Sequence, residues 1–280
     1  MRIAKRFSPA LTLAAIATVA LSAIVAAATT IVVTPTNEQG WSRAETTADA
    51  SVTFVADAAA PGGEGALQLT TSASTSSRAQ YLHRTNTELA DITELSYYTK
   101  QVAGPPAVAD PAYQLVTCLN GVTATGCALN ALLPGDPTGG VTSFATLNFE
   151  PYQNGAIVSN TWQYWDVDAG LFWSTRTVRC SGGLIVQRVL YPYTTIQTMC
   201  PEAVVFQFGV NVGTFNPAYV VRTDLFNFNG TTYDFELTNE PGDKDDCKDG
   251  GWMTLTDDQN ESFKNQGQCI KHSKGSGGGE

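Results

Sequence analysis

The stretch from Ala203 to Leu237 constrains this chain more than any other, because three consecutive runs there carry the patterning of neighbouring β-strands. In the first, Val204, Phe206, Phe208, Val210 and Val212 alternate with Val205, Gln207, Gly209 and Asn211, the period of two expected of a strand with one face in a core. The second run, Tyr219 to Phe228, meets the third, Thr231 to Thr238, across Asn229-Gly230. That dipeptide supplies the two positive-φ residues of a type I′ turn, so a tight hairpin is expected. The turn sets a register with Phe228 opposite Thr231, Phe226 opposite Tyr233, Asp224 opposite Phe235 and Arg222 opposite Leu237. One face then carries Phe226, Phe228, Tyr233, Phe235 and Leu237. The same count places Arg222 and Asp224 on that face, where an unpaired charge is costly. A β-bulge near Thr223 would turn both outward and bring Tyr219 and Val221 in; an ion pair at the sheet end and a ligand-facing pair are the other resolutions.

Turn signals at close spacing separate further short apolar runs along the chain. Strands are expected at Ser51–Ala56, Ala66–Thr71, Gln80–His83, Glu94–Gln101, Tyr113–Leu119, Phe144–Phe149, Trp162–Val167, Leu171–Trp173 and Leu184–Tyr191, with Tyr191-Pro192-Tyr193 breaking the last. Thr29 to Trp41 reads as a polar lead-in, and no window supports a helix of three turns. About a dozen short strands without helices indicate an all-β fold, an antiparallel two-sheet β-sandwich of jelly-roll-like size.

With 280 residues, 43% of them hydrophobic and 15% charged, the chain suits one globular domain of roughly 200 to 230 residues with appendages. Arg2, Lys5 and Arg6 precede an apolar run from Ala10 to Ala28 that ends in three alanines, which reads as a signal peptide over residues 1–28. The run is also long enough to span a bilayer, so an uncleaved membrane anchor is the alternative. The expected location is secreted or extracytoplasmic. Residues 29–238 form the expected sandwich, 239–272 a disulfide-closed C-terminal segment and 273–280 a flexible tail. A formal net charge of −10 argues against nucleic acid or, after signal cleavage, an anionic membrane as partner, since both require a basic face.

Export makes the six cysteines candidates for disulfides, although six thiols allow fifteen pairings. Order along the chain suggests Cys118–Cys127, Cys180–Cys200 and Cys247–Cys269, the last closing the C-terminal segment with Trp252 and Phe263 as anchors against the sandwich. The absence of a CxxC pair and the presence of only two histidines, His83 and His272, disfavour zinc.

Several stretches resemble a set of secreted bacterial proteins of unassigned function. They are Gly65-Ala66-Leu67-Gln68-Leu69, Leu95-Ser96-Tyr97-Tyr98-Thr99-Lys100, Phe149-Glu150-Pro151-Tyr152 with Thr161-Trp162-Gln163-Tyr164-Trp165-Asp166, and Gly230-Thr231-Thr232-Tyr233-Asp234-Phe235-Glu236. The most specific is the C-terminal Lys244-Asp245-Asp246-Cys247-Lys248-Asp249-Gly250-Gly251-Trp252 with Phe263-Lys264-Asn265-Gln266-Gly267-Gln268-Cys269. The resemblance implies a β-sandwich akin to carbohydrate-binding modules and no catalytic residues.

The residues themselves point the same way. A serine hydrolase needs a base histidine and a nucleophile elbow, and no GxSxG, HExxH or phosphate-cradling loop occurs. A glycoside-processing enzyme needs only two carboxylates, for which Glu150, Asp166, Asp224 and Glu236 are candidates. Binding draws on the crowding of Tyr152, Trp162, Tyr164, Trp165 and Trp173 around two turns. Aromatic faces stack on sugar C–H surfaces while amides and carboxylates bond the hydroxyls, which makes Tyr152, Asn154, Trp165, Asp166 and Trp173 the candidate ligand-binding set for an extracellular glycan. Alternation sets Trp162 and Tyr164 on one face and Trp165 on the other, so one aromatic side belongs to the core. A structural envelope or surface component is the alternative role. Calcium is a candidate at Asp243, Asp245, Asp246, Asp249 and Gly250, although Cys247 interrupts the ligand spacing and Thr254 stands where a bidentate glutamate is needed. No other cofactor is expected.

Overall fold

Trp41 lies at the centre of the protein, its ring stacked on Tyr81 at 5.1 Å and meeting Phe208, Phe226, Tyr233 and Phe235 edge-on at 5.2 to 5.7 Å. These partners come from two different sheets. The computed structural model describes residues 29–43, 45–105, 109–119, 144–238, 240–241, 244–253, 255–257 and 261–276. The first sheet contains β1 (Thr29–Val33), β3 (Ser51–Ala56), β4 (Gly65–Thr70), β6 (Leu95–Ala103), β9 (Gln163–Asp166), β15 (Val220–Phe228) and β16 (Thr231–Phe235). The second runs in the order β13 (Leu190–Pro192), β10 (Leu171–Ser174), β8 (Phe144–Phe149), β7 (Ala112–Cys118), β14 (Val204–Val212), β5 (Ala79–Glu88) and β2 (Trp41–Ser42). A separate ribbon pairs β11 (Val178–Cys180) with β12 (Gly183–Ile185). One hydrophobic core fills the space between the large sheets, so the fold is a β-sandwich.

β15 is the hub of the first sheet. β6 and then β9 lie along one flank, while the other flank is shared by β4 against its first half and β16 against its second. The hairpin forms with the expected Phe226/Tyr233 and Phe228/Thr231 pairs, and Asn229 and Gly230 both take positive φ, +52° and +83°. The bulge lies at Leu225 (φ +44°), two residues beyond the expected position, where the β15/β6 register slips between Asp224 and Asn227. It turns Arg222 and Asp224 onto the outer face while Tyr219 and Val221 enter the core. β16 ends at Phe235, and Leu237 is exposed rather than part of the apolar face.

Three expectations are corrected. Thr29 to Trp41 is no polar lead-in: β1 pairs in parallel with β16, the one parallel pairing among the described strands of this sheet, and Trp41 is buried. β14 carries a bulge between Val205 and Gln207, so Val205, Phe208, Val210 and Val212 face the core while Val204 and Phe206 lie in a smaller cluster on the opposite face. Helices also occur: α1 (Pro151–Asn154), α2 (Tyr193–Met199) and α3 (Gln266–Ser276), the last of three turns. α2 is rich in β-branched residues of low helix propensity, yet burial of Tyr193 and Ile196 on one side and the Cys180–Cys200 bridge at its end hold it.

Cys247–Cys269 is also a disulfide. Cys118 is disulfide-bonded, and Cys127 lies outside the described residues. Trp252 and Phe263 do not pack into the sandwich; with Leu255, Ile270 and the bridge they form a small core of their own. Among the described residues no helix is long and apolar enough to cross a membrane.

Candidate functional site

The outward face of the second sheet is a cleft of about 570 Å³. Strand alternation explains its floor, because residues whose neighbours fill the core must point the other way. β14 offers Gln207 and Asn211, β7 Gln114 and Val116, β8 Thr146 and Asn148, β5 Gln80 and Leu82, and β10 Trp173. Register places Trp173, Asn148, Gln114, Gly209 and Leu82 in one row across the strands. Gly209, at φ +155°, packs directly against the β5 backbone at Tyr81 and Leu82, which leaves no room for a Cβ. Gln114 Nε2 donates to Asn148 Oδ1 at 2.8 Å, and Asn211 Nδ2 donates to Gln80 Oε1 at 2.9 Å. These bonds fix the orientation of the amides, with Asn148 Nδ2 donating to Thr146 O at 3.2 Å and Gln80 Nε2 to Glu45 Oε2 at 3.4 Å.

Two polar side chains in this cleft are almost wholly buried yet keep an atom without a partner among the described residues. Gln207, 4% exposed, has a free Nε2, and Asp110, 5% exposed, has a free Oδ1. Such groups are uncommon, because leaving a buried donor or acceptor unpaired costs roughly 1 to 3 kcal/mol. Asp110 is held from behind: Thr99 Oγ1 donates to its Oδ2 at 2.6 Å and in turn accepts Trp165 Nε1–H at 2.7 Å. Burial raises the Asp110 carboxyl to about 7 against the lowering effect of the Thr99 bond. Glu150, on the same rim, is also raised by burial, and Tyr152 is pushed up to about 12 by burial and by Glu150.

Aromatic rings flank the floor. Tyr152, on α1, is 42% exposed beside Trp173. Across the sheet Phe215, 80% exposed, stands on the loop after β14. Its φ of +71° is unusual for a bulky residue, and the loop is pinned by Phe215 N–H to Thr75 O (2.7 Å), Ala218 N–H to Ser72 O (2.6 Å) and Thr71 Oγ1 to Asn216 O (2.6 Å).

The ligand-binding set read from sequence divides. Tyr152 and Trp173 share this cleft. Trp165 is 8% exposed within the sandwich core and spends its indole N–H on Thr99, so it offers no face to a ligand. Asn154 uses its amide to tie α1 to β10, donating to Glu150 O and Leu171 O and accepting from Leu171 N–H. Asp166 is exposed on β9, in the other sheet. Single Gln and Asn residues inside apolar strands read in sequence as the polar phase of alternation, which hides the cleft amides; Gln207 and Asn211, four apart on one strand, are the signal that points to them. Phe215 sits in a loop that no pattern marks.

A second cleft, of about 620 Å³, opens between the first sheet and the C-terminal segment, lined by Glu64, Asp234, Glu236, Glu240 and Asp246 with Gly62 and Gly63. Gly62 N–H and Phe235 N–H bond the Asp224 carboxylate behind it. Burial raises Asp224; burial and then the neighbouring Asp224 and Glu236 charges raise Asp234; burial and then Asp224 raise Glu236 to about 7. Among the described residues no group of three His, Cys, Asp or Glu is arranged to hold a metal ion. In the segment read as a calcium candidate, Asp245 pairs with Lys248, Asp246 lines this cleft, and Asp243 lies outside the described residues. The carboxylates considered for glycoside chemistry are dispersed: Glu150 on the first cleft, Asp166 on β9, Asp224 and Glu236 here.

No family model matches the sequence, and no curated protein matches it. Among solved structures, the chain is similar to a family 11 carbohydrate-binding module of a cellulosomal cellulase from Clostridium thermocellum, at 10% identity over 70% of this chain and 89% of that one, with a TM-score of 0.37. It is similar to a xylan-binding domain from Paenibacillus barcinonensis at 15% identity, covering 70% of this chain and 87% of that one, with a TM-score of 0.31. An arabinose-bound α-L-arabinofuranosidase matches at 10% identity and a TM-score of 0.36, and there the chain spans about a quarter (24%) of the enzyme's length. The assignment of the fold rests on the two sheets themselves.

Proposed function

We propose that this protein is an exported, non-catalytic β-sandwich whose cleft on the second sheet binds a carbohydrate chain. The observation that carries the reading is the free Nε2 of Gln207, 4% exposed, on a floor of oriented amides. A sugar hydroxyl is the kind of partner such a donor lacks, since its oxygen accepts a hydrogen bond while its rotatable O–H donates another. Trp173 and Tyr152 on one flank and Phe215 on the other supply stacking surfaces. The chain therefore lies across the strands, between the two aromatic flanks.

A glycan array probed with residues 29–280 and with Trp173→Ala tests this. Binding to a restricted set of glycans, reduced in Trp173→Ala, is the expected result. Binding unchanged by the substitution contradicts the cleft, and release of reducing sugar during incubation contradicts the non-catalytic reading.

A further inference from the structure

The outer face of the first sheet carries a second aromatic group that the cleft does not use. Among the described residues β9 is an edge strand, paired with β6 alone. Trp165 and Val167 point into the core, so Trp162, Tyr164 and Asp166 take the outer face. Their β6 neighbours are Tyr98 opposite Tyr164 and Ser96 opposite Asp166, with Lys100 beside Trp162, its ammonium 5.8 Å from the ring centroid. Tyr164 is 56% exposed, and its ring lies 5.2 Å from that of Tyr98. Trp162 Nε1 is a buried donor without a partner among the described residues.

We infer that Trp162, Tyr164 and Tyr98 form a second binding platform, for a neutral glycan chain laid along β9. Trp162 and Tyr164 are separated by two strand steps, about 7 Å, so they present two successive stacking surfaces along one line. Trp162 Nε1 and the Asp166 and Ser96 side chains lie beside that line as donors and acceptors for hydroxyls. A neutral chain fits because the cations here are already engaged: Lys100 Nζ and Arg222 Nη1 both contact Asp57 Oδ2, at 2.9 and 2.8 Å, and Arg222 Nε bonds Gln68 Oε1 at 3.0 Å. Among the described residues no free cation remains on this face to favour an acidic sugar over a neutral one. The platform is on the opposite side of the sandwich from the cleft, so one molecule would hold two chains.

Native electrophoresis of the mature chain through gels containing mixed-linkage β-glucan, xylan or arabinan tests this, with the double variant Trp162→Ala/Tyr164→Ala, the cleft variant Trp173→Ala, and the combination of all three. At least one polysaccharide should retard the protein, with affinity falling about tenfold for each ring removed. Residual retardation in Trp173→Ala that disappears only in the combined variant is the expected result. Retardation abolished by Trp173→Ala alone overturns the second platform and leaves the cleft standing; retardation abolished by the double variant alone supports the platform and overturns the cleft. Retardation by none of the three polysaccharides overturns both. Thermal melting of each variant shows whether a loss reflects unfolding, and a soluble variant that melts as the parent does makes its result decisive.

Discussion

Gln114 donates from Nε2 to Asn148 Oδ1 at 2.8 Å, joining two neighbouring strands across the cleft floor. Gln207, on the next strand, has no such partner for its Nε2. The pair separates stability from binding. Gln114→Leu leaves Asn148 Oδ1 without its donor in a buried position and should cost about 1 to 3 kcal/mol in urea unfolding. Gln207→Leu removes a donor that the folded protein leaves unsatisfied, so stability should hold or rise while glycan binding falls. A Gln207→Leu protein destabilised as much as Gln114→Leu would assign Gln207 a structural role.

The acidic cleft makes stability depend on pH. Asp224, Asp234 and Glu236 hold their protons more tightly folded than unfolded, because burial and mutual repulsion disfavour the charged forms. The native state then binds more protons, and stability falls as pH rises from the ordinary carboxylate range to beyond 7. Asp57 has the opposite sign: burial opposes its charge, but Lys100 and Arg222 hold it at about 2, so its contribution is lost only below pH 4. Urea midpoints between pH 5 and 8 should therefore decline with pH, and Asp234→Asn should flatten the decline. An equal slope in that variant would contradict the account.

Trp41 touches five aromatic rings drawn from both sheets. Trp41→Ala should cost about 3 to 5 kcal/mol, the range for emptying a large core site. A loss below 1 kcal/mol in denaturant unfolding would show that the sheets close without it.

The small core around Trp252 and Phe263 is separate from the sandwich core, and Cys247–Cys269 closes a separation of 22 residues. That bridge contributes roughly 3 kcal/mol by the chain-entropy model. A Cys247→Ser/Cys269→Ser variant should lose protease resistance after residue 240 while the sandwich keeps its melting temperature. Unchanged resistance of the segment would show that its apolar contacts suffice.

The hairpin and the sandwich were legible in sequence because period-two alternation and Asn229-Gly230 are local signals. Bulges were only partly so. The one in β15 announced itself through charges on an apolar face, since only a phase shift could take Arg222 and Asp224 out of the core. The one in β14 left no mark, because Val204, Val205 and Phe206 are apolar whichever way they point. Trp41 was missed as its neighbours are polar and its burial depends on partners up to almost 200 residues away. The candidate site was legible at Tyr152 and Trp173, but Trp165 shows the limit: the same ring that stacks on sugars also fills cores, and only the bond to Thr99 and the burial beside Phe149 decide it.

The most direct measurement is side-chain NMR of the mature protein titrated with cellohexaose and with xylohexaose. The account predicts that, with at least one of them, the Nε2 and Nδ2 amide protons of Gln207, Gln114 and Asn148 and the indole N–H of Trp173 shift together, while the indole N–H of Trp165 stays in place behind Thr99. Saturable shifts confined to residues outside the cleft, or none with either sugar, would contradict it.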